Sequence, residues 1–387
     1  MNHIETPAVL LDLSVLERNI KRFQQLADRA GKTLWPMIKT HKSTEIARMQ
    51  HDSGAAGFLC GTLDECEVIY ENLVHKEGRN ISIMYAYPVA CRPNISRVVK
   101  LAKNCDFYLR IDSSEQAALL NEAAAEADVH INYSVIINAG LDRFGVDVCE
   151  LENLLRKISD FKYLKFAGIS THPGHVYREE NIAGVAKIAA QECNKMKDAA
   201  SILHSMGIEP IFISSGSTPT YPYAVNDSVI NILHPGNYVF MDNMQISLEC
   251  ASEEDCALTV LATVISAPRK GEFIIDAGSK CLGLDKGAHG TGKIVGHGRI
   301  KSQENSTWND AIVISSLSEE VGKIIVSDKR EVSFKIGDKI EIIPNHSCAV
   351  GNNTSCYIGM RNGVFESVID VDMRNNLTRR LSSYAKF

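Results

Sequence analysis

The sequence predicts an α/β protein in which a (β/α)8 barrel is followed by a β-rich domain. Between about residues 14 and 240, short apolar runs alternate with helix-like segments, whereas after about residue 245 strand-like runs follow one another without long helical patterns. Short apolar runs between helices are typical of parallel strands buried on both faces, and eight of them favour a closed barrel over an open sheet. We expect residues 14–245 to form the barrel, and residues 1–13 and 246–387 to form the β-rich domain.

The first barrel helix is predicted from its capping residues and its periodicity. Ser14 and Glu17 have the spacing of a capping box, in which the serine caps the helix and the glutamate reaches back to it. Apolar residues then recur at helical spacing as far as Leu26, and Gly31 can end the helix. Thr62 begins a second segment with the same capping pattern.

The strands are predicted from the apolar runs themselves. The N-terminal run from Pro7 to Leu11 is also strand-like, and we expect it to join the β-rich domain. The eight barrel runs are Leu34–Ile38, Gly57–Cys60, Ile81–Tyr85, Asp106–Ile111, Ile131–Ile137, Phe166–Ser170, Pro210–Ser214 and Val229–Leu233; the later runs are Leu258–Ser266, Glu272–Asp276, Asp310–Ser315, Val332–Ile343 and Cys356–Ile358.

Composition excludes several functional classes. The 387 residues are 45% hydrophobic and 23% charged, which is ordinary for a globular protein and not for a disordered one. A formal net charge of −6 disfavours nucleic acid as a partner. No apolar run reaches the roughly 18 residues that a membrane helix needs, and the N-terminus lacks the basic region of a signal peptide.

The cysteines predict a cytoplasmic protein without a disulfide framework. There are eleven, an odd number, and they are scattered without any C-x-x-C pair. Most are expected to be small buried hydrophobic residues.

Polar side chains at the ends of the predicted strands locate a candidate active site, because a (β/α)8 barrel carries its active site at the C-terminal ends of its strands. These ends are mutually compatible with one site. They comprise Lys39, Asn138 with Gly140 and Arg143, Thr171–His175, Ser214–Thr220 and His234–Tyr238.

Lys39 has two interpretations. A lysine at a strand–helix junction is usually a solvated loop residue, but at a barrel mouth it can form a Schiff base with a carbonyl substrate or with pyridoxal phosphate. Pyridoxal phosphate also needs a phosphate site, and the loops that contain Gly216 and Gly236 offer close backbone approaches after strands seven and eight. Glycine-rich turns alone are mostly just turns, so the combination with the strand-one lysine is the informative signal.

The segment that contains His346 and Cys348 predicts a metal pair. In an extended segment these two residues face the same side, and imidazole with thiolate favours zinc. The alternative is an ordinary histidine and a buried cysteine, because two protein ligands fall short of the three usual in catalytic zinc sites.

Two glycine motifs are rejected. Gly287 to Lys293 has phosphate-loop spacing, but Ile294 occupies the position that requires serine or threonine, and Gly290-x-Gly292 lies outside any βαβ unit. We interpret residues 287–298 as a loop, and as the most mobile one in the chain.

Together these elements resemble the D-serine dehydratase/D-threonine aldolase family of pyridoxal phosphate enzymes. The resemblance covers essentially the whole chain, and the ordered set is far more specific than any single element. The matching segments are Thr6-Pro7, Pro36–Lys42, Thr171–His175, Ser215–Thr220, Pro235–Tyr238 and Pro344–Cys348.

The resemblance implies an alanine-racemase-like barrel, a homodimer and a set of site residues. Lys39 is then the lysine that holds the cofactor, and Arg143 faces the pyridoxal ring oxygen. His346 and Cys348 hold zinc or another divalent metal, since His-x-Cys resembles the dehydratase branch and His-x-Asp the aldolases. Catalytic roles fall to Lys39, His172 and Tyr177, and cofactor contacts to Lys39, Arg143, Tyr177, Ser215, Gly216, Ser217, Thr218, Gly236, Asn237 and Tyr238.

The predicted reaction is the conversion of a D-3-hydroxy amino acid, D-serine above all and also D-threonine, to a 2-oxo acid and ammonia. A metal-dependent aldolase acting on D-threonine or 3-hydroxy-D-aspartate is the nearest alternative, and a non-catalytic cofactor-binding protein is a second. A racemase would have no use for the metal pair. The chain departs from the family pattern at positions that can shape the substrate pocket, namely Trp35, Met37, Asn138, Met241 and Val321.

Overall fold

The computed structural model describes residues 3–287, 294–301, 311–327 and 334–374. The chain divides into two compact units. The barrel unit comprises residues 24–173, 187–236 and the described residues from Asp372 onward. The β-rich unit comprises the described residues of 1–23, 174–186 and 237–371. The domain limits predicted from the sequence stay a prediction.

The barrel unit is built on a sheet of parallel strands in the order β2-β9-β8-β7-β6-β5-β4-β3. Backbone hydrogen bonds from Ala56 to Leu34 (3.1 Å) and from Leu59 to Pro36 (2.9 Å) join its two edges, so the predicted eight-stranded barrel is confirmed. The strands are β2 (Thr33–Leu34), β3 (Gly57–Cys60), β4 (Ser82–Tyr85), β5 (Phe107–Ile111), β6 (Ile131–Ile136), β7 (Leu164–Ser170), β8 (Phe212–Ser215) and β9 (Ile232–Leu233).

Helices follow the strands, as the alternating pattern predicts. In the barrel they are α2 (Thr44–Asp52), α3 (Leu63–Ile69) continued by a π-helical segment Tyr70–Lys76, α4 (Arg92–Asn104), α5 (Ser114–Glu126), α6 (Leu151–Ile158) and α8 (Tyr221–Ala224); α1 (Leu13–Arg29) and α7 (Ile182–Ser205) each have residues in both units.

The barrel interior is apolar at one level and polar at the next. Trp35 packs on Tyr108 and Phe212, with ring centroids 5.5 and 5.8 Å apart, in a cluster drawn from most of the strands. Side chains two residues apart on a strand share a face, so Arg110, Ser214 and His234 enter the same interior one level nearer the C-terminal ends of their strands. This polar level is where a barrel of this kind places its chemistry.

The β-rich unit contains mixed sheets in which β1 (Ala8–Asp12) pairs antiparallel with β10 and parallel with β16. The N-terminal strand therefore joins the later strands, as its sequence suggests. The other strands are β10 (Leu258–Arg269), β11 (Glu272–Ile275), β12 (Arg299–Ile300), β13 (Ile312–Leu317), β14 (Gly322–Val326), β15 (Lys339–Ile343), β16 (Cys356–Arg361) and β17 (Val364–Asp370), and the short helices are α9 (Asn243–Ser247), α10 (Ser279–Leu282) and α11 (Ser347–Asn353).

The predicted caps are partly correct. Helix α1 begins at Leu13, and Asp12 accepts the hydrogen bond from the Val15 amide (3.1 Å), so the capping box at Ser14 and Glu17 is wrong. Asp12 takes the cap because it is the last residue of β1 and directly precedes the helix. Gly31 ends this helix at φ +64, and the Thr62 hydroxyl caps α3 by accepting from the Glu65 amide (3.1 Å).

All eleven cysteines are free thiols, in agreement with the predicted absence of a disulfide framework. Among the described residues, no helix combines the length and the apolar character needed to cross a membrane. The two rejected glycine motifs and the central part of the predicted 287–298 loop lie outside the described residues.

Candidate active site

Two neighbouring lysines follow β2, and their surroundings differ. Lys39 lies half-buried in the short turn Ile38–Thr40, and Gly61 leaves room for it, since a Cβ at Gly61 would lie 3.0 Å from the Lys39 Cβ. Lys42 is buried, and its ammonium lies 2.5 Å from Glu65. Within the described part of the chain, the Lys39 amine has no counter-ion. Lys39 is therefore the lysine available for covalent chemistry.

His172, which follows β7, is held as a neutral imidazole. Its Nδ1 lies 2.9 Å from the Gly216 carbonyl oxygen, which can only accept, so Nδ1 carries the hydrogen and Nε2 is left as an acceptor. Burial, followed by the positive charge of Lys39, lowers the pKa of His172 to about 3. A neutral imidazole near the Lys39 amine can accept a proton or a hydrogen bond.

The loops after β8 and β9 each contain a glycine that lies close to a neighbouring backbone segment. A Cβ at Gly216 would lie 2.6 Å from the His234 backbone nitrogen, and one at Gly236 would lie 3.0 Å from the Met37 carbonyl oxygen. Beyond Gly216, the hydroxyls of Ser217 and Thr220 lie 2.9 Å apart, and Ser215, Ser217 and Thr218 are all buried. Backbone groups and hydroxyls crowded in this way form the kind of cradle that takes a phosphate.

Arg110 is a functional candidate that the sequence analysis missed. Its side chain is buried in the barrel, and two of its guanidinium nitrogens, Nε and Nη2, have no hydrogen-bond partner among the described residues. Burial lowers its pKa to about 10. The His234 Nε2 atom and the Ser214 hydroxyl are likewise buried without partners. Buried polar groups are normally paired, so this group of atoms is suited to a ligand.

Arg143 and Asn138 lie in the loop after β6. Arg143 is exposed, and its guanidinium stacks 5.7 Å from the Tyr87 ring centroid and 5.1 Å from that of Phe144. The Asn138 amide donates to Asp142 (2.8 Å) and more weakly to a second carboxylate of the loop. An aspartate at position 138 could not donate to these carboxylates, so asparagine suits this loop.

A network of buried polar side chains in the β-rich unit connects residues 237–242 with residues 347–348. Asp242 accepts hydrogen bonds from the Asn237 amide (2.8 Å), from the Ser347 amide (2.9 Å) and from the Ser347 hydroxyl (3.2 Å). Burial raises the pKa of Asp242. Asn237 also contacts the Ser347 hydroxyl (2.7 Å) and the Cys348 sulfur (4.0 Å). This network fixes the segment that carries the predicted metal pair.

The structure brings His346 and Cys348 together, although the local conformation predicted for them is wrong. β15 ends at Ile343, His346 directly precedes α11 as its N-cap, and Cys348 lies within that helix. Their proximity comes from a strand–helix turn. Burial opposes protonation of His346, but the negative charges of Cys348 and Asp285 outweigh it and hold its pKa well above the usual value.

Asp285 is a second residue that sequence reasoning missed. Its carboxylate lies 2.5 Å from the His346 Nδ1 atom, which leaves Nε2 as the nitrogen that a metal would use. The described residues contain no cluster of three or more histidine, cysteine or acidic side chains suited to a metal. A metal at His346 and Cys348 would therefore keep positions open for water or substrate.

Tyr177 and Tyr238 have different environments in the β-rich unit. Burial, together with the nearby charges of Cys348 and Asp242, raises the pKa of Tyr177 far above its usual value, so its hydroxyl stays protonated beside the metal pair. Tyr238 is fully buried and stacks on Phe23 with centroids 4.6 Å apart. Tyr177 thus stays protonated and interacts with the Gln245 side chain, whereas the Tyr238 ring is part of the core.

Comparison with known proteins gives consistent matches over nearly the whole chain. Residues 11–244 match the alanine racemase N-terminal domain family, and residues 257–360 match the serine dehydratase domain family. D-serine dehydratase from Dictyostelium discoideum is 30% identical over 92% of this chain and 93% of its own length. D-threo-3-hydroxyaspartate dehydratase from Delftia sp. is 29% identical over 92% of this chain and 93% of its own.

Solved structures give the same result. The Delftia dehydratase superimposes with a TM-score of 0.85 and 27% identity, covering 95% of this chain and 98% of that one. Its structures include a histidine-to-alanine variant and a cysteine-to-alanine variant two positions apart, the latter described as metal-free. D-threonine aldolase from Filomicrobium marinum has a TM-score of 0.83 and 25% identity, with 97% of each chain covered. This chain therefore belongs to the D-serine dehydratase family of lyases, in which an alanine racemase N-terminal domain precedes a serine dehydratase domain.

Proposed function

We propose that the protein is a pyridoxal phosphate- and zinc-dependent dehydratase that converts a D-3-hydroxy amino acid, D-serine above all, to a 2-oxo acid and ammonia. The observation that carries the proposal is the pairing of His346 with Cys348 on the network of Asp242 and Asn237. Imidazole and thiolate suit zinc, and the dehydratase relatives support this activity.

The residues present fit pyridoxal phosphate. The Lys39 amine, which has no partner in the described part of the chain, is what the cofactor aldehyde requires, and the glycine cradle formed by Gly216 and Gly236 is suited to its phosphate. The unpartnered donors of Arg110 offer buried hydrogen bonds that a polar aromatic ring can satisfy. Pyridoxal phosphate, when bound, withdraws electrons from the substrate α-carbon and makes the α-proton acidic.

The chain's own residues then move the protons. We assign the general base at the α-carbon to the Lys39 amine, which substrate frees on binding. The ring of His172 is neutral and its Nε2 atom is unprotonated. His172 can therefore accept a proton from Lys39 and pass it on. Tyr177, which stays protonated, can donate a hydrogen bond to an anionic group of the substrate.

The metal role falls to His346 and Cys348. Zinc held by these residues would supply Lewis acidity toward the β-hydroxyl group. Asp285 contacts the His346 Nδ1 atom, so Nε2 is the nitrogen that would hold the metal, and a donor set of two residues would leave room for the hydroxyl.

Product analysis tests the proposal. Purified protein with both cofactors is incubated with D-serine or D-threonine, with and without a zinc chelator. We expect pyruvate or 2-oxobutyrate plus ammonia, and loss of both on chelation. Glycine and acetaldehyde from D-threonine would instead establish the aldolase, the second candidate, which the similarity to D-threonine aldolase favours. Binding of the cofactor without turnover of any D-amino acid would support the non-catalytic alternative.

We further propose that the protein acts as a homodimer in the cytoplasm. Eleven free thiols support a reducing compartment. The exposed position of Arg143 is consistent with a surface that a second copy covers. Light scattering on the purified protein measures the oligomeric state, and a monomeric mass with full activity would contradict the dimer.

A further inference from the structure

A buried glutamate lies behind the loop assigned to the cofactor phosphate. Glu192, on α7, has no exposed surface. Its Oε1 atom accepts a hydrogen bond from the Ser215 hydroxyl, its Oε2 atom has no hydrogen-bond partner among the described residues, and the Thr220 hydroxyl lies near enough to favour the charged carboxylate. An acidic group at this position is unexpected, because a carboxylate would repel the phosphate that the loop is suited to bind.

The surroundings of Glu192 favour its neutral form. Burial, and to a smaller extent the charge of Asp227, raises its pKa to about 8, although the Thr220 hydroxyl acts in the opposite direction. Asp227 is itself paired with Lys197 at 2.9 Å, so that lysine does not neutralise Glu192. The adjacent thiol, Cys193, has a pKa raised to about 12 and carries no charge.

Hydroxyl groups connect Glu192 to the loop. The Thr220 hydroxyl lies 2.9 Å from that of Ser217, and the Thr220 amide also donates to the Ser217 oxygen (3.3 Å). A carboxylate can only accept, so an ionised Glu192 takes the Thr220 hydrogen, and Ser217 must then donate to Thr220. A carboxylic acid can donate to Thr220, which in turn donates to Ser217 and frees the Ser217 hydrogen for an anion.

We propose that Glu192 is a positioning residue that keeps Ser217 in its anion-accepting orientation only while the Glu192 carboxyl group is protonated, so that phosphate binding weakens at alkaline pH. The inference rests on the proposed function, since it takes the phosphate of pyridoxal phosphate as the ligand. Ionisation of Glu192 weakens phosphate binding in two ways. It adds a negative charge behind the loop, and it reverses the direction of the hydrogen bonds that run between Glu192, Thr220 and Ser217.

The test compares pyridoxal phosphate with pyridoxal, which has the same aldehyde and ring but no phosphate. Dissociation constants of both ligands are measured by equilibrium titration of the full-length, zinc-loaded protein between pH 7 and pH 9.5. Their ratio isolates the contribution of the phosphate from the effects of pH on aldehyde binding, which the two ligands share. We expect the preference for pyridoxal phosphate to fall at least about tenfold across this range, the effect of roughly 1.4 kcal/mol of added repulsion.

Three variants complete the experiment. Glu192→Gln keeps the shape but cannot ionise, so its preference should stay constant with pH. Ser217→Ala should have a weaker preference at pH 7 and should keep only the part of the pH dependence that comes from charge repulsion. Asp198→Asn removes an equal charge from an exposed position on the same helix and should behave as the wild type.

The outcomes separate this inference from the proposed function. A constant ratio in the wild type, or an unchanged pH dependence in Glu192→Gln, would overturn the role of Glu192 while leaving the enzyme assignment intact. Failure of the wild type to bind either ligand would overturn both. Even if Glu192→Gln does not fold, a ratio that stays constant with pH in the wild type would overturn the role of Glu192.

Discussion

The ammonium group of Lys42 lies 2.5 Å from the carboxylate of Glu65, and both side chains are buried. Glu65 is further held by the Gly61 amide, which donates to its other oxygen at 2.6 Å. Lys39, three residues earlier, has no counter-ion among the described residues. The same short segment therefore contains one structural lysine and one reactive candidate, and the two can be distinguished by experiment.

Lys39→Ala should abolish activity with little effect on stability, whereas Lys42→Met should lower stability. Lys39→Ala should abolish turnover and the visible absorbance of lysine-bound pyridoxal phosphate, with little change in stability, because its amine pairs with none of the residues that the structure describes. Lys42→Met leaves Glu65 as an uncompensated buried charge and should lower the free energy of unfolding by about 3–5 kcal/mol. Absorbance spectra and urea unfolding check both results. Full activity of Lys39→Ala would refute the assignment of the cofactor lysine.

Arg110→Met should weaken cofactor binding without destabilising the cofactor-free protein. A buried guanidinium with two unpartnered nitrogens costs free energy that methionine, of similar length, does not incur. We expect an unchanged or higher melting temperature of the cofactor-free protein and a dissociation constant for pyridoxal phosphate raised at least about tenfold. Tyr108→Phe, two residues earlier in the apolar level, is the control and should keep full affinity. A lower melting temperature with intact affinity would make Arg110 a structural residue.

Asp285→Asn should lower zinc affinity about 10–100-fold, because it removes the charge that orients His346 and raises the basicity of its ring. Cys348→Ala, which deletes a proposed ligand, should lose zinc altogether. Competition with a chromogenic chelator measures both affinities. Glu320→Gln, at an exposed position of the same unit, serves as the control. Equal zinc affinity of wild type and Asp285→Asn would show that Asp285 plays no part in metal binding.

The features that could be predicted from the sequence are those that a local residue pattern encodes. Apolar runs between helices predict the eight barrel strands, because burial on both faces leaves a continuous apolar signature. The Gly216 and Gly236 loops are similarly visible, since a Cβ would collide with neighbouring backbone at Gly216 and would be tightly packed at Gly236. The chain order of these signals is what identifies the family.

What the sequence does not predict depends on distant partners. Arg110 in an apolar strand has no local signal that its side chain enters the barrel. Asp285 and His346 are 61 residues apart in sequence, and Asp242 and Ser347 are 105 apart, so only the fold brings them together. The capping error at Ser14 has the same origin, because the end of β1 fixes Asp12 as the cap.

Acid should destabilise the protein through its buried neutral histidines, and His41 provides the clearest test. Its Nδ1 atom accepts a hydrogen bond from the Ser43 amide (3.1 Å), so Nε2 carries the hydrogen and donates to Gln50 (3.1 Å). Protonation at Nδ1 would break the first bond and place a charge in a buried site. Burial, the largest effect, lowers the pKa of His41 to about 3 from an ordinary value of 6.5.

The sign of the effect follows from proton binding. Between about pH 6.5 and pH 3 the unfolded chain binds a proton at His41 that the folded chain does not, so stability is complete above about pH 6.5 and falls as the pH decreases through that window. Within the window, one such group contributes up to about 1.4 kcal/mol per pH unit. His172 and His234, whose pKa values burial also lowers, act in the same direction. His41→Gln should therefore reduce the dependence of the urea midpoint on pH between 7 and 5 without abolishing it. An identical dependence in wild type and variant would show that His41 is protonated in the folded protein.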